Sequence, residues 1–254
     1  GSASTFNVDG SGFATAAAAG LTCTADLVGA SIGTKQGFSI IRYQATSGET
    51  VAHGLSQQPG CIFMKNLDST GDWNVYHSKG GDGEDMANNE VLNLNNSDPM
   101  SASGSNTFIT GTSATTFTVG SSSIVQNGSD DFIAYIWHDV PGLQKFGHWK
   151  AVSSADGNFL NLGFRPALII AKQVSGSGSG KKWFMLDSER NKTNPLNNII
   201  DAEDSASERT GVIYDFVSNG AKIRIAFSGG EHFIYMAWAE APSIDLYGGG
   251  ANAR

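Results

Sequence analysis

Two stretches decide the fold: Asp131-Phe132-Ile133-Ala134-Tyr135-Ile136-Trp137 and His232-Phe233-Ile234-Tyr235-Met236-Ala237-Trp238. Each is apolar, ends in Trp and is too short for a lone amphipathic helix. Gly, Ser and Asp bound both, as they bound strands. The pattern predicts a central β-strand in each case.

Earlier landmarks repeat in the same order. Pro59-Gly60-Cys61-Ile62-Phe63-Met64-Lys65 answers to Pro166-Ala167-Leu168-Ile169-Ile170-Ala171-Lys172. His53-Gly54-Leu55 and Leu162-Gly163-Phe164 precede them, and Trp strands beginning at Asp72 and Lys182 follow. The offsets are 107, 110 and 101 residues (Pro59 to Pro166, Trp73 to Trp183, Phe132 to Phe233). So long a period fits two tandem domains rather than a solenoid. The expected architecture is all-β: two tandem β-sandwich, jelly-roll-like domains related by internal duplication. Residues 1–36 form an extended N-terminal arm or linker, 37–141 and 142–242 the two repeats, and 243–254 a mobile tail.

Composition agrees. The chain has 254 residues with 32 Gly, 10% aromatic and 16% charged residues, so turn formers outnumber strong helix formers. A net charge of −8 argues against a nucleic-acid backbone or an anionic membrane surface as partner. No apolar run reaches transmembrane length. Gly1-Ser2 opens the chain without a basic n-region, which reads as a cut from a longer chain rather than a signal peptide. Cys23 and Cys61 are too few for a disulfide framework, and Cys61, inside an apolar strand, is expected to be a buried free thiol.

Within the first 36 residues, Phe13 to Gly20 holds a short Ala run, read as one or two helical turns stopped by Gly20. Thr116–Val119 and Ser123–Val125 suggest a hairpin around Gly120. Asn219-Gly220 is the strongest hairpin signal, expected at the centre of a type I′ turn. Pro141-Gly142 marks the joint between the repeats. Gly176 to Gly180 reads as a loop tip.

Catalytic signals are weak. Gly29-Ala30-Ser31-Ile32-Gly33 has the nucleophile-elbow pattern without its strand and helix context. Gly176 to Lys182 lacks the spacing of a phosphate loop. The five His share no zinc spacing, and His53 before Gly54 reads as a turn hydrogen bond. No catalytic residue, metal centre or cofactor is therefore expected. The candidate binding residues are Asp82, Glu84 and Asp85, which with Glu90 form an acidic loop of the oxygen-rich kind that suits Ca²⁺ but lacks EF-hand spacing. Trp149 joins them, since four of the five Trp fall at repeat-equivalent positions and Trp149 has no obvious counterpart; it is expected as an exposed platform.

Gly163-Phe164-Arg165-Pro166-Ala167, Trp183 to Asp187 with Arg190, Phe216 to Gly220 and Phe233 to Pro242 together resemble a repeat near the C-termini of tailed-phage virion proteins, often found beside laminin-G-like or concanavalin-like sandwiches. Val8 to Ala16 and the ending Asn252-Ala253-Arg254 resemble the same group. The glycine-rich Tyr247 to Gly250 and the charged insertion at 82–90 depart from it. The resemblance implies a component of the virion surface, in a tail fibre or tail-associated protein. Its partners would be further copies of itself, commonly as a trimer, other virion proteins, and a host-surface glycan or protein. Three classes compete: an adhesion module, a purely structural part such as a shaft, collar or capsid decoration, and a glycan-degrading enzyme. The first is preferred.

Overall fold

In the computed structural model, residues 5–102, 105–176 and 181–241 are described; all of the expected Gly176 to Gly180 loop tip but Gly176, and the tail at 243–254, lie outside them. Among the described residues every regular element is a strand. The chain divides into two units.

The first unit holds Gly1–His77, Met86–Asn93 and Ser101–His138. Its strands are β1 (Phe6–Val8), β2 (Ser11–Phe13), β3 (Asp26–Gly33), β4 (Phe38–Gln44), β5 (Thr50–Ala52), β6 (Cys61–Asn66), β7 (Asn74–His77), β8 (Glu90–Asn93), β9 (Ser101–Ala102), β10 (Ile109–Thr112), β11 (Thr116–Val119) and β12 (Phe132–Trp137). Nine form one sheet in the order β2-β1-β3-β4-β12-β6-β7-β8-β9, and three form another, β10-β11-β5. Strand β12 shows why they stack. Successive side chains point to opposite faces, so Phe132, Ala134 and Ile136 are buried while Ile133, Tyr135 and Trp137 are half-buried. Tyr43, on the buried face, meets Phe117 of the small sheet edge-on at 5.8 Å.

The second unit holds Asp139–Arg254 together with Ser78–Asp85 and Leu94–Met100. Its strands are β13 (Gln144–Lys150), β14 (Phe159–Asn161), β15 (Pro166–Ser175), β16 (Trp183–Asp187), β17 (Leu196–Asp201), β18 (Arg209–Val217), β19 (Gly220–Ile223) and β20 (His232–Ala239). They make a single eight-stranded sheet, β13-β20-β15-β16-β17-β18-β19-β14. Lys145 of β13 donates to the Asn161 carbonyl of β14 at 2.8 Å, drawing the two end strands together into a nearly closed barrel. Trp149, Phe184, Tyr214, Phe216 and Phe233 are among the side chains that fill it.

The pairing registers of the two units coincide. Trp137 pairs with Phe38 and Cys61, as Trp238 pairs with Gln144 and Leu168. Cys61 pairs onward with His77, and Leu168 with Asp187. The order β4-β12-β6-β7-β8 thus matches β13-β20-β15-β16-β17, and β5-β11-β10 matches β14-β19-β18.

Three expectations are met differently, and a fourth, the turn stopped by Gly20, is met. The first 36 residues, suggested as an arm, contain β1, β2 and β3, which extend the large sheet beyond β4. Their Ala run makes a single turn: Thr15 Oγ1 caps it at the Ala18 amide, and bonds from Gly20 to Ala17 and from Leu21 to Ala16 close it. Gly20 is left-handed there, at φ +75°, as a Schellman stop requires. Residues 123–125 form no strand; β11 pairs with β10 and β5 instead. The last hairpin turns at Ser218-Asn219, because Val217 pairs with Gly220. Gly220 is needed in the strand, where an added Cβ would lie 2.0 Å from the Leu160 carbonyl oxygen of neighbouring β14.

Candidate functional site

Three of the four expected binding residues lie together, on the Ser78–Asp85 loop of the second unit. Four short-range backbone bonds fold this loop tightly: Gly81 to Glu84, Asp82 to Gly80, Gly83 to Lys79 and Glu84 to Gly81. Asp82 and Gly83 both take positive φ, +55° and +107°; Asp tolerates this region better than most residues and Gly takes it freely. Asp82, Glu84 and Asp85 all face solvent.

Side chains seat the loop on the strand ends. Ser175 Oγ donates to Asp82 Oδ1 at 2.7 Å, and His232 Nδ1 lies 3.5 Å from the same oxygen. Gly83 packs over the His148 imidazole, where an added Cβ would come within 2.5 Å of Nε2. Burial holds the His148 ring below the usual histidine range; His232 and Lys79 push the same way, while Glu84 and Asp82 oppose them. The arrangement can present a fixed acidic surface backed by two imidazoles. Among the described residues, no group of three or more His, Cys, Asp or Glu is placed to hold a metal ion.

The fourth expected residue is corrected. Trp149 is only 4% exposed and stacks on Phe233 with ring centres 4.7 Å apart and planes 7° from parallel, so it offers no platform. Nor does it lack a counterpart. Tyr43 pairs with Phe132 as Trp149 pairs with Phe233, and it too is buried and stacked, at 5.7 Å. The Tyr43-to-Trp149 offset of 106 residues, close to that of the other landmarks, was the available signal. Both hydrophobes suit the core because their strands turn that face inward.

Other expected features fall into the frame. His53 is fully buried, and its Nδ1 accepts the Leu55 amide at 3.1 Å across Gly54, the turn bond expected. Cys61, buried as expected, and Cys23, half-buried, are not joined in a disulfide. Ser31 lies within β3. Trp183 is wholly buried.

Sequence reasoning missed the histidines behind the acidic loop. Arg42 pairs with Ile133 as His148 pairs with Ile234, and Asp131 precedes Phe132 as His232 precedes Phe233. An Arg42–Asp131 ion pair in the first unit is therefore matched by two histidines in the second, beside a loop supplied from far away in sequence.

No curated protein and no solved structure matches the chain. Residues 9–242 match the family described as Domain of unknown function (DUF7483), and the chain belongs to that family.

Proposed function

We propose that this chain is a virion surface component of a tailed phage, from a tail fibre or tail-associated protein, and that it attaches the particle to the host cell surface. The carrying observation is the Ser78–Asp85 loop. Its Asp82, Glu84 and Asp85 are exposed, yet its own backbone bonds and the Ser175 hydrogen bond to Asp82 tie it down. A loop fixed on a rigid sheet loses little entropy when it engages a partner. Asp82, Glu84 and Asp85 would meet cationic or hydrogen-bond-donating groups of a surface glycan or protein. The coincident registers also support descent of the two units from one duplicated domain, and particles of this kind suit a homo-oligomer such as a trimer.

A purely structural part, such as a shaft, collar or capsid decoration, is the second reading. The burial of Trp149 favours it, by removing the aromatic platform that sugar stacking would have used. Binding of the purified chain to host cells and to their isolated surface polysaccharide separates the two. Adhesion predicts saturable binding that falls at least tenfold when Asp82, Glu84 and Asp85 are changed together to Asn, Gln and Asn with the fold intact. Binding equal to wild type in that variant, or none in either, sinks the adhesion reading.

A further inference from the structure

Lysine is a costly residue to bury, because an ammonium leaves water only where hydrogen bonds replace its hydration. Lys172 of β15 is nevertheless 0% exposed. Its Nζ lies 5.1 Å from the centre of the Trp183 ring. It donates to the Lys181 carbonyl and, at 3.4 Å, to the Asn96 carbonyl. Beside it the Lys181 amide donates to the Ser97 carbonyl at 3.1 Å. Two successive residues of Leu94–Met100, a segment that leaves the first unit after β8 and returns to it at β9, are thus tied to the second.

The matching lysine in the first unit shows what is added. Phe63 pairs with Val75, and Ile170 with Met185, so Lys65 answers to Lys172. Lys65 Nζ donates to the Gly71 carbonyl at 2.8 Å, two residues before Trp73, just as Lys172 reaches the carbonyl two residues before Trp183. Bracing this hairpin is therefore common to both units. Lys65 and Trp73 remain half-buried, whereas Lys172 and Trp183 are wholly buried. The Asn96 contact belongs to the second unit alone.

We propose that Lys172 is a latch: through the Asn96 carbonyl it holds the inserted Leu94–Met100 segment in the second unit, which is completed only by chain lent from the first half. Methionine would fill the same space without a buried charge, but it would leave the buried Lys181 carbonyl and the half-buried Asn96 carbonyl without this donor. Burial lowers the amine to about 8, with Glu203 and Asp98 opposing the drop and Lys181 adding to it; this is what the latch costs. Its consequence is that the second unit depends on a segment drawn from between β8 and β9.

The test is amide hydrogen exchange on the full chain. In Lys172→Met, the Lys181 amide and those of residues 95–98 are expected to exchange at least tenfold faster than in wild type, with β4, β6 and β12 unchanged. Lys65→Met, which removes only the shared brace, leaves residues 95–98 at the wild-type rate. Unchanged exchange at Lys181 and 95–98 in Lys172→Met overturns the proposal. If that variant does not fold, the wild type is decisive through its ¹⁵N-lysine ammonium spectrum: a slowly exchanging Lys172 signal supports the latch, and its absence at pH 6 refutes it.

Discussion

The two units run their matched strands in one order and close them in different ways. In the first, the small sheet β10-β11-β5 stays separate from the large one, and β3, β1 and β2 extend the edge beyond β4. In the second, β17 pairs with β18, so the matching strands join into one sheet, and β13 is left as an end strand. The same core register therefore supports either a two-sheet stack or a nearly closed barrel. Register fixes which side chains face inward; the partners found by the outermost strands fix how the sheet ends are satisfied. The difference extends to chemistry, since the Arg42–Asp131 ion pair of the first unit is matched in the second by two imidazoles, His148 and His232.

The comparison is most easily broken in the cores. If Tyr43 and Trp149 are the same position, truncating either to Ala opens a comparable cavity. Each is expected to destabilise its own unit by about 3–5 kcal/mol, read by chemical denaturation followed with exchange probes in both sheets. A Trp149→Ala protein with near-wild-type stability would show that the rings are not equivalent.

Acid sharpens it next. His53 corresponds to Leu162, each followed by a left-handed glycine, Gly54 and Gly163. Burial lowers His53 to about 4, against a Ser113 carbonyl that pulls the other way and a His138 charge that reinforces the drop. Free histidine titrates near 6.5, so between about 6.5 and 4 the unfolded chain binds the proton that the folded one refuses. Stability is fully present above about 6.5 and is lost as pH falls towards 4, by on the order of 3 kcal/mol. The first unit should therefore loosen before the second. His53→Leu is expected to flatten that pH slope, whatever it does to absolute stability; an unchanged slope in the variant would assign the acid response elsewhere.

The smallest effect is at the charged pair. Arg42 has a side chain 51% exposed, so solvent screens its bond to Asp131, and Arg42→Ala should cost no more than about 1 kcal/mol. A larger loss in thermal unfolding at 150 mM salt would mean that the first unit depends on this pair in a way the second does not.

How much of this was legible in the sequence can be judged residue by residue. Strands β6, β7, β12 and β20 were readable to within about two residues, because alternation and turn formers act locally. Of the landmarks, Phe132 and Phe233 take matching places in the pairing registers. Asp82, Glu84 and Asp85 were recognisable as one acidic loop, but His148 and His232 were not recognisable as its support, since nothing local connects residues so far apart. Trp149 was misjudged for the opposite reason: its counterpart is a tyrosine, and identity was the wrong thing to match where size and burial were kept.

By itself, then, the sequence determined that the chain is all-β and where several of its strands run. Those properties follow from a two-residue side-chain period and from turn chemistry, both written in neighbouring residues. The tertiary structure decided that residues 6–33 extend a sheet, that β17 joins β18, and that Ser78–Asp85 and Leu94–Met100 belong to the second unit. Those choices depend on which unpaired backbone groups and buried side chains, such as Lys172 with its Asn96 partner, meet residues far off in the chain.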